Sequence, residues 1–532
     1  MTAAHAARPV VWSIAGTDSG GGAGLSADQR AADAFGVHLC PVVAAVTAQN
    51  SLAVTRIEPV SPLALEAQLQ ALADDLPPQV VKTGLLGGVE HVRLVAHWID
   101  RLRRRHPVAL VVDPVLAAST GAAFADASML AAYRELLLPR ATLITPNRRE
   151  AAALLGQPEA GLAGLPTQAL ELRRRGAQAV CITGGDAADL DGRVLDLMAT
   201  EQADGWLAAP RIATEHHHGS GCTFATSAAA ALALGFVPAD AVVLAKMATG
   251  HALRHGHPAG AGRGPVRATS GFAADASLLP WLSWGASPTF APPGEPDAPR
   301  ASLDLYAIVD SAARAEQVLA AGARTLQLRI KTPAAPDAAW QAALRTALQR
   351  SIAAAREAGA RLFVNDHWQL AAELGAFGVH LGQEDLLALG DDGRARLRAS
   401  GLALGISSHS LWELARARSM APCYVACGPV WPTLTKAMPW RPQGLDNLAW
   451  WCAMAGLPVV AIGGILTPEQ VEAAARCGAD GVCAVRVLGD DPARVLPQLQ
   501  RALQAGRQAA TPSPVPALPH PSLAASVAPP PS

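Results

Sequence analysis

The hydrophobic pattern divides the chain before any motif is read. In residues 8–283, short apolar, largely β-branched runs recur at Val10 to Ala15, Pro41 to Val46, Val80 to Lys82, Val108 to Val112, Ala141 to Ile144 and Ala179 to Ile182. Each stops at a polar or Gly-rich turn and is followed by a helical pattern. Such alternation predicts a mostly parallel sheet with helices on both faces. Residues 301–505 carry eight runs: LDLYAIVD (303–310), TLQLRIK (325–331), RLFVND (361–366), GVHLG (378–382), LALGISSH (402–409), YVACGPV (424–430), PVVAIGGI (458–465) and GVCAVRVL (481–488). Eight βα units at this spacing predict a small (β/α)8 TIM barrel, with its active site at the strand carboxyl ends. The fold class is therefore α/β in both blocks. Residues 284–300 are Pro-rich and read as an extended linker, and the Pro- and Ala-rich segment 506–532 reads as a disordered tail.

Polar residues collect where the predicted strands end, which is where open parallel sheets bind ligands. In the first block these are GTDSGGGAG, TAQNS, KTG, DP, TPN and TGGD. In the second they are Arg329, Lys331, Asn365, Asp366, Asp385, Ser407, Thr433, Thr435 and Lys436. The net charge of -1 leaves no broad footprint for nucleic acid or an anionic membrane surface. No apolar run approaches the roughly 18 residues of a membrane span, and Met1 to Pro9 lacks the pattern of a signal peptide. The expected compartment is the cytoplasm, and a homo-oligomer is compatible with the sequence. Of 43 basic residues only four are Lys: Lys82, Lys246, Lys331 and Lys436. Where Arg is the default cation, a retained Lys marks a place to look for chemistry.

His218-Gly-Ser-Gly-Cys-Thr223 leads into an Ala-rich helix, so Gly219, Ser220, Gly221 and Cys222 present backbone N–H groups at its positive end, an anion site. Cys222 in the first turn is expected to have a lowered pKa. No GxxxxGK[ST] motif is present, and the first Gly-rich loop lacks the G-x-G-x-x-G spacing. The ordered series IAGTDSGGGAGLSAD, TAQNS, VVKTGLL, VVDPV, LITPNRREAAALLG, ITGGD and HHHGSGCTFATSAAAALALG resembles the hydroxymethylpyrimidine/phosphomethylpyrimidine kinases of thiamine biosynthesis, members of the ribokinase-like superfamily. The resemblance implies that Gly16, Asp28 and Gln49 contact the pyrimidine. It also implies that Asp113, Asn147, Glu150 and Gly184 lie near Mg²⁺ and ATP, and that Cys222 is the base beside the Gly219–Cys222 anion hole. One departure is Thr183-Gly184-Gly185 where family members often have Lys-Gly-Gly, which removes a point charge. His216, His217 and His218 read as loop histidines, because three consecutive side chains do not converge on one ion.

In the second block, Asp366 and Asp385 with Asn365 nearby form a hard-oxygen set suited to Mg²⁺. Arg329 and Lys331 alternate on the second strand and are expected to point the same way. QLRIK, RLFVNDHWQLA, GVHLGQEDL, GISSH, GPVWPTLTK and AIGGI, in this order, resemble thiamine-phosphate synthase. The resemblance implies that the pyrimidine diphosphate binds through Gln327, Leu328, Arg329, Ile330, Lys331, Asn365, Ser407 and Lys436, with Mg²⁺ on Asp366 and Asp385. Thr433, Leu434, Thr435, Gly464, Val485 and Arg486 would hold thiazole phosphate. Arg486 stands where many relatives have Ser. Lys331 and Lys436 thus fall in the inferred diphosphate site and Lys82 on the kinase's active edge, while Lys246 has no assignable role. The product expected of one block is a substrate expected by the other, so the reading is one bifunctional enzyme. The alternative is a pyridoxal-type kinase fused to a thiazole tautomerase-like or ligand-sensing barrel, against which the carboxylate pair and the two cations argue.

Overall fold

The structure, a computed structural model, describes residues 7–116, 126–185, 192–291, 302–433 and 439–523. The described residues form two compact units that divide between Thr289 and Phe290.

The first unit is a ten-stranded sheet: β1 (Val10–Gly16), β2 (His38–Gln49), β3 (Val54–Pro59), β4 (Val80–Thr83), β5 (Ala109–Val112), β6 (Leu143–Ile144), β7 (Val180–Ile182), β8 (Arg193–Ala199), β9 (Asp204–Pro210) and β10 (Trp281–Leu282). Their spatial order is β10-β9-β8-β7-β6-β5-β4-β1-β2-β3. β2, β1, β4, β5, β6 and β7 run parallel, and these are the six strands expected from apolar runs. Buried on both faces, they can be apolar at nearly every position. β3, β8, β9 and β10 add antiparallel edges that the apolar runs do not announce. β3 has no buried residue, so no hydrophobic run marks it.

The second unit is a closed barrel of eight parallel strands, each paired with the next and the last with the first. They are β11 (Asp304–Val309), β12 (Thr325–Leu328), β13 (Arg361–Asn365), β14 (Gly378–Leu381), β15 (Ala403–Ser408), β16 (Tyr424–Cys427), β17 (Val459–Ala461) and β18 (Gly481–Ala484). The interior is packed by Tyr306, Phe363, Tyr424, Ala426, Val460 and Cys483. β12 ends at Leu328, so Arg329 to Lys331 lie in the following loop and strand alternation does not govern their directions.

Two segments differ from expectation. The linker was expected from 284, yet Trp284 is buried, Ser283 Oγ donates to the Gly285 carbonyl, and Trp206 Nε1 donates to the Ala286 carbonyl. An apolar side chain and bonded carbonyls thus hold the start of the Pro-rich stretch to the first unit. Residues 292–301 lie outside the described residues. The segment from 506 was expected to be disordered, but the helix Pro492–Arg507 covers its first two residues and 508–523 follow a defined path on the barrel. Asn447 Nδ2 donates to the His520 carbonyl at 3.0 Å while His520 N–H donates back to Asn447 Oδ1 at 2.8 Å. Arg441 N–H donates to the Ser522 carbonyl, and Pro519 and Ser522 are buried. A Pro-rich chain has few backbone donors of its own, and here a side-chain amide replaces a strand edge.

Candidate active sites

In the first unit the carboxyl ends of the parallel strands open into a cavity of about 810 Å³. Gly16, Gln49, Asp113, Asn147, Glu150 and the Gly219–Cys222 turn line it. The turn starts the helix Ser220–Ala233, with Gly219 at φ 83°, and a Cβ there would stand 2.2 Å from the Gly22 carbonyl oxygen. Only glycine fits this contact between the two Gly-rich loops. Ser220 N–H donates to the His217 carbonyl, so the first-turn N–H groups of Gly221 and Cys222 are the ones placed to bind an anion.

Asp18 organises the other loop. Its carboxylate accepts from the N–H groups of Gly20, Gly22 and Ala23, and it pairs with His218 Nε2 at 2.9 Å. Burial alone would raise the Asp18 pKa, but the bonds from His218, Ala23 and Gly20 outweigh it and hold the carboxyl below the usual carboxylate range. His218 also meets Gln49 Nε2 at 3.3 Å, and His216 Nδ1 accepts from Gly264 N–H. The adjacent histidines therefore diverge.

Beneath the cavity floor, Lys82 is fully buried and donates to both Asp28 oxygens at 3.0 Å. Asp28 also accepts from Ser13 Oγ and Thr226 Oγ1, at 2.6 and 2.7 Å. This corrects the expectation that Asp28 reads the pyrimidine edge: it is 0% exposed, does not line the cavity, and has its acceptor capacity filled from below. Its place is to hold Lys82 charged under the site. Burial works against that charge, and Asp28 chiefly restores it. Asp113 Oδ2 lies 3.9 Å from Lys82 Nζ, an ion pair without a hydrogen bond. Burial, with Asp28 adding and Lys82 opposing, pushes its carboxyl up to about 6.

The lowered pKa expected of Cys222 is also corrected. Burial pushes the thiol up to about 12; Lys82 pulls it down, but Asp28 and Asp113 push it further up. The helix terminus does not outweigh desolvation and two carboxylates. Gly184 is the third correction. A Cβ at this residue would meet the Leu195 carbonyl at 2.0 Å, and its N–H donates to Asp196 Oδ1, so it faces β8 while Thr183 and Gly185 line the cavity. Asp196 Oδ2 in turn pairs with Lys246 Nζ at 2.7 Å, and both residues line the cavity. Lys246 thus anchors the turn that lacks the family's lysine. Asn147 and Glu150 form a reciprocal capping box on the helix Arg148–Leu155. Asp18, His218, Asp196 and Lys246 are site residues that sequence reasoning left unassigned; the scarcity of Lys was the one signal for Lys246.

At the barrel mouth, Asp366 follows β13 with φ 66°, a left-handed conformation that Asp tolerates. Its pKa is raised by burial and then by Asp385, with His367 and Arg329 opposing. Asp385 caps the helix Gln383–Ala388 through the Gly382 N–H. Two neighbouring carboxylates of which one is held above its usual range, with Asn365 bonded to Asp366, form a donor set that a hard cation fits. Gln327 is buried beside Tyr306 inside the barrel. Leu328 alternates to the opposite face of β12 and offers only its backbone, and the Ile330 carbonyl meets His367 Nε2 at 3.2 Å. Lys331 is exposed. Gly464, at φ 73°, meets Trp431 so closely that a Cβ would stand 2.6 Å from its side chain. Val485 and Arg486 are exposed at the start of the turn Arg486–Leu488 that follows β18. Thr433 borders this mouth, while Leu434, Thr435 and Lys436 lie outside the described residues.

Residues 18–267 match the family model for phosphomethylpyrimidine kinase, and 305–488 that for thiamine monophosphate synthase. A thiamine biosynthetic bifunctional enzyme of Arabidopsis thaliana is 34% identical, over 87% of this chain and 87% of that protein. A probable one of Oryza sativa subsp. japonica is 34% identical, over 87% of this chain and 83% of its own length. An ADP complex of Bacillus subtilis pyridoxal kinase is 29% identical, covering 49% of this chain and 98% of that one, at a TM-score of 0.46. Both plant relatives are described as chloroplastic, which overturns the cytoplasmic expectation. Among the described residues no helix is long and apolar enough to cross a membrane.

Proposed function

This chain belongs to the bifunctional thiamine biosynthetic enzymes, and on that premise we propose how its two sites divide the work. It is a hydroxymethylpyrimidine/phosphomethylpyrimidine kinase and a thiamine-phosphate synthase in one chain. The first unit phosphorylates 4-amino-5-hydroxymethyl-2-methylpyrimidine to its phosphate and diphosphate. The second joins the diphosphate to thiazole phosphate, giving thiamine phosphate and free diphosphate. The synthase model on 305–488 disfavours a tautomerase-like barrel.

In the kinase, ATP is the co-substrate and Mg²⁺ would sit by Asp113, a buried carboxylate that lines the cavity. The Gly221 and Cys222 N–H groups bind the transferring phosphoryl group above the Lys82 charge, and Gln49 and Gly16 contact the pyrimidine. With its thiol pushed up to about 12, Cys222 acts by orienting the acceptor hydroxyl rather than as a ready thiolate. A loose phosphoryl-transfer transition state asks for positioning and charge neutralisation more than for a strong base. In the synthase, Asp366 and Asp385 would hold Mg²⁺, which neutralises the leaving diphosphate. Arg329, Lys331, Asn365, Ser407 and Lys436 bind that diphosphate, and Thr433, Thr435, Gly464, Val485 and Arg486 hold the thiazole phosphate. Cations around a departing diphosphate stabilise its loss, so no nucleophilic side chain is required.

The observation that carries the kinase reading is a single cavity lined by both the Gly219–Cys222 turn and Asp113. Its test assays the two reactions of the full chain separately. Cys222→Ala is expected to lower kinase turnover by about 10- to 100-fold and leave thiamine phosphate formation from supplied diphosphate at the parental rate. Equal loss of both reactions would overturn the assignment.

A further inference from the structure

A chain of hydrogen bonds runs through the barrel core to its mouth. Tyr306 Oη and Tyr424 Oη are 2.7 Å apart, Tyr424 Oη is 2.8 Å from His380 Nδ1, and His380 Nε2 is 2.8 Å from Ser407 Oγ. Gln327, also buried, neighbours Tyr306 at the other end. Tyr306, Tyr424 and His380 are buried, whereas Ser407 is partly exposed near the carboxyl end of β15. We propose that Tyr306, Tyr424 and His380 are positioning residues that hold the Ser407 hydroxyl as a hydrogen-bond donor toward an anion at the barrel mouth. The inference rests on the reading that Ser407 contacts the pyrimidine diphosphate.

Packing does not explain these residue types. Phe363 lies against both tyrosines, with ring centroids 5.7 Å from Tyr306 and 5.3 Å from Tyr424, so an apolar ring fits this layer. Hydroxyls placed there cost desolvation unless each finds a partner. The barrel also makes room for Tyr424: a Cβ at Gly405 would stand 2.2 Å from its ring. His380 stacks on Tyr424 at an interplanar angle of 16°, which fixes the ring that joins core to mouth.

The proton count gives the chain two polarities. In one, Ser407 donates to His380 Nε2, Nδ1–H to Tyr424, and Tyr424 to Tyr306. In the other, every donor is reversed: Tyr306 donates to Tyr424, Tyr424 to Nδ1, and Nε2–H to Ser407, whose own proton then faces the mouth. An anion there selects the second, and linked donors polarise one another. Both polarities need a neutral imidazole, because an imidazolium donates from both nitrogens.

The test measures synthase kinetics of the full chain with pyrimidine diphosphate, thiazole phosphate and Mg²⁺. Ser407→Ala and Tyr424→Phe are each expected to lower kcat by about tenfold with the KM for thiazole phosphate unmoved, which also reports an intact barrel. The double variant should lose little more than either single one, since both break one chain. His380→Gln, whose amide N–H can replace Nε2–H, should retain more activity than His380→Leu. If Tyr424→Phe folds poorly, Tyr306→Phe takes its place in the cycle. Parental kcat in the Tyr variant beside an impaired Ser407→Ala, or additive losses in the double variant, overturns the relay alone. A parental Ser407→Ala overturns the diphosphate contact itself.

Discussion

Asp113 pairs with Lys82 at 3.9 Å through an oxygen that has no hydrogen bond, and burial pushes its carboxyl up to about 6. An unfolded Asp titrates near about 3.9, so between those values the native state binds more protons than the unfolded one. Its contribution to stability therefore falls as pH rises through that window and stays unfavourable above it. Asp113→Asn is expected to raise the thermal unfolding temperature of the kinase unit more at pH 7.5 than at pH 5, while lowering kinase turnover. An equal gain at both pH values would contradict a buried charge kept for function. The corrections at this scale share one cause. Asp28, Gly184 and Cys222 were placed by motif, but which way a side chain faces, and what burial does to its proton, depend on contacts across the fold. Ser13, Lys82 and Thr226 close around Asp28 from three separate elements, and no local pattern announces that.

Elements were legible where their own residues form an unbroken apolar run. The six parallel strands of the first unit and all eight of the barrel are apolar runs because both their faces are covered. β3 is exposed along its length and β8 and β9 mix Asp and Arg with apolar residues, so these edges left no run to read. The segment 508–523 was misread because its order comes from elsewhere, from the Asn447 amide, the Arg441 N–H and a pocket for Pro519. Truncation after Arg507 is accordingly expected to cost the barrel about 1–3 kcal/mol in denaturant unfolding, in the range of a few lost buried hydrogen bonds. An unchanged barrel transition would show that the segment rests on the surface without stabilising it.

Across the whole molecule, the scarcity of lysine proved informative within the described residues. Lys82 lies under the phosphoryl site, Lys246 anchors the turn at Thr183 through Asp196, and Lys331 stands at the barrel mouth. Two of the four lysines thus line the cavity of the first unit and Lys331 is exposed beyond β12, in a chain whose other basic residues are Arg. The two units have separate hydrophobic cores and separate sets of charged groups, so each reaction should be removable alone. The most direct test follows products of the full chain supplied with hydroxymethylpyrimidine, ATP, Mg²⁺ and thiazole phosphate. Asp366→Ala should accumulate pyrimidine diphosphate at the parental rate and form thiamine phosphate at least about 100-fold more slowly. Unimpaired thiamine phosphate formation, or loss of the diphosphate along with it, would contradict two independent sites on one chain.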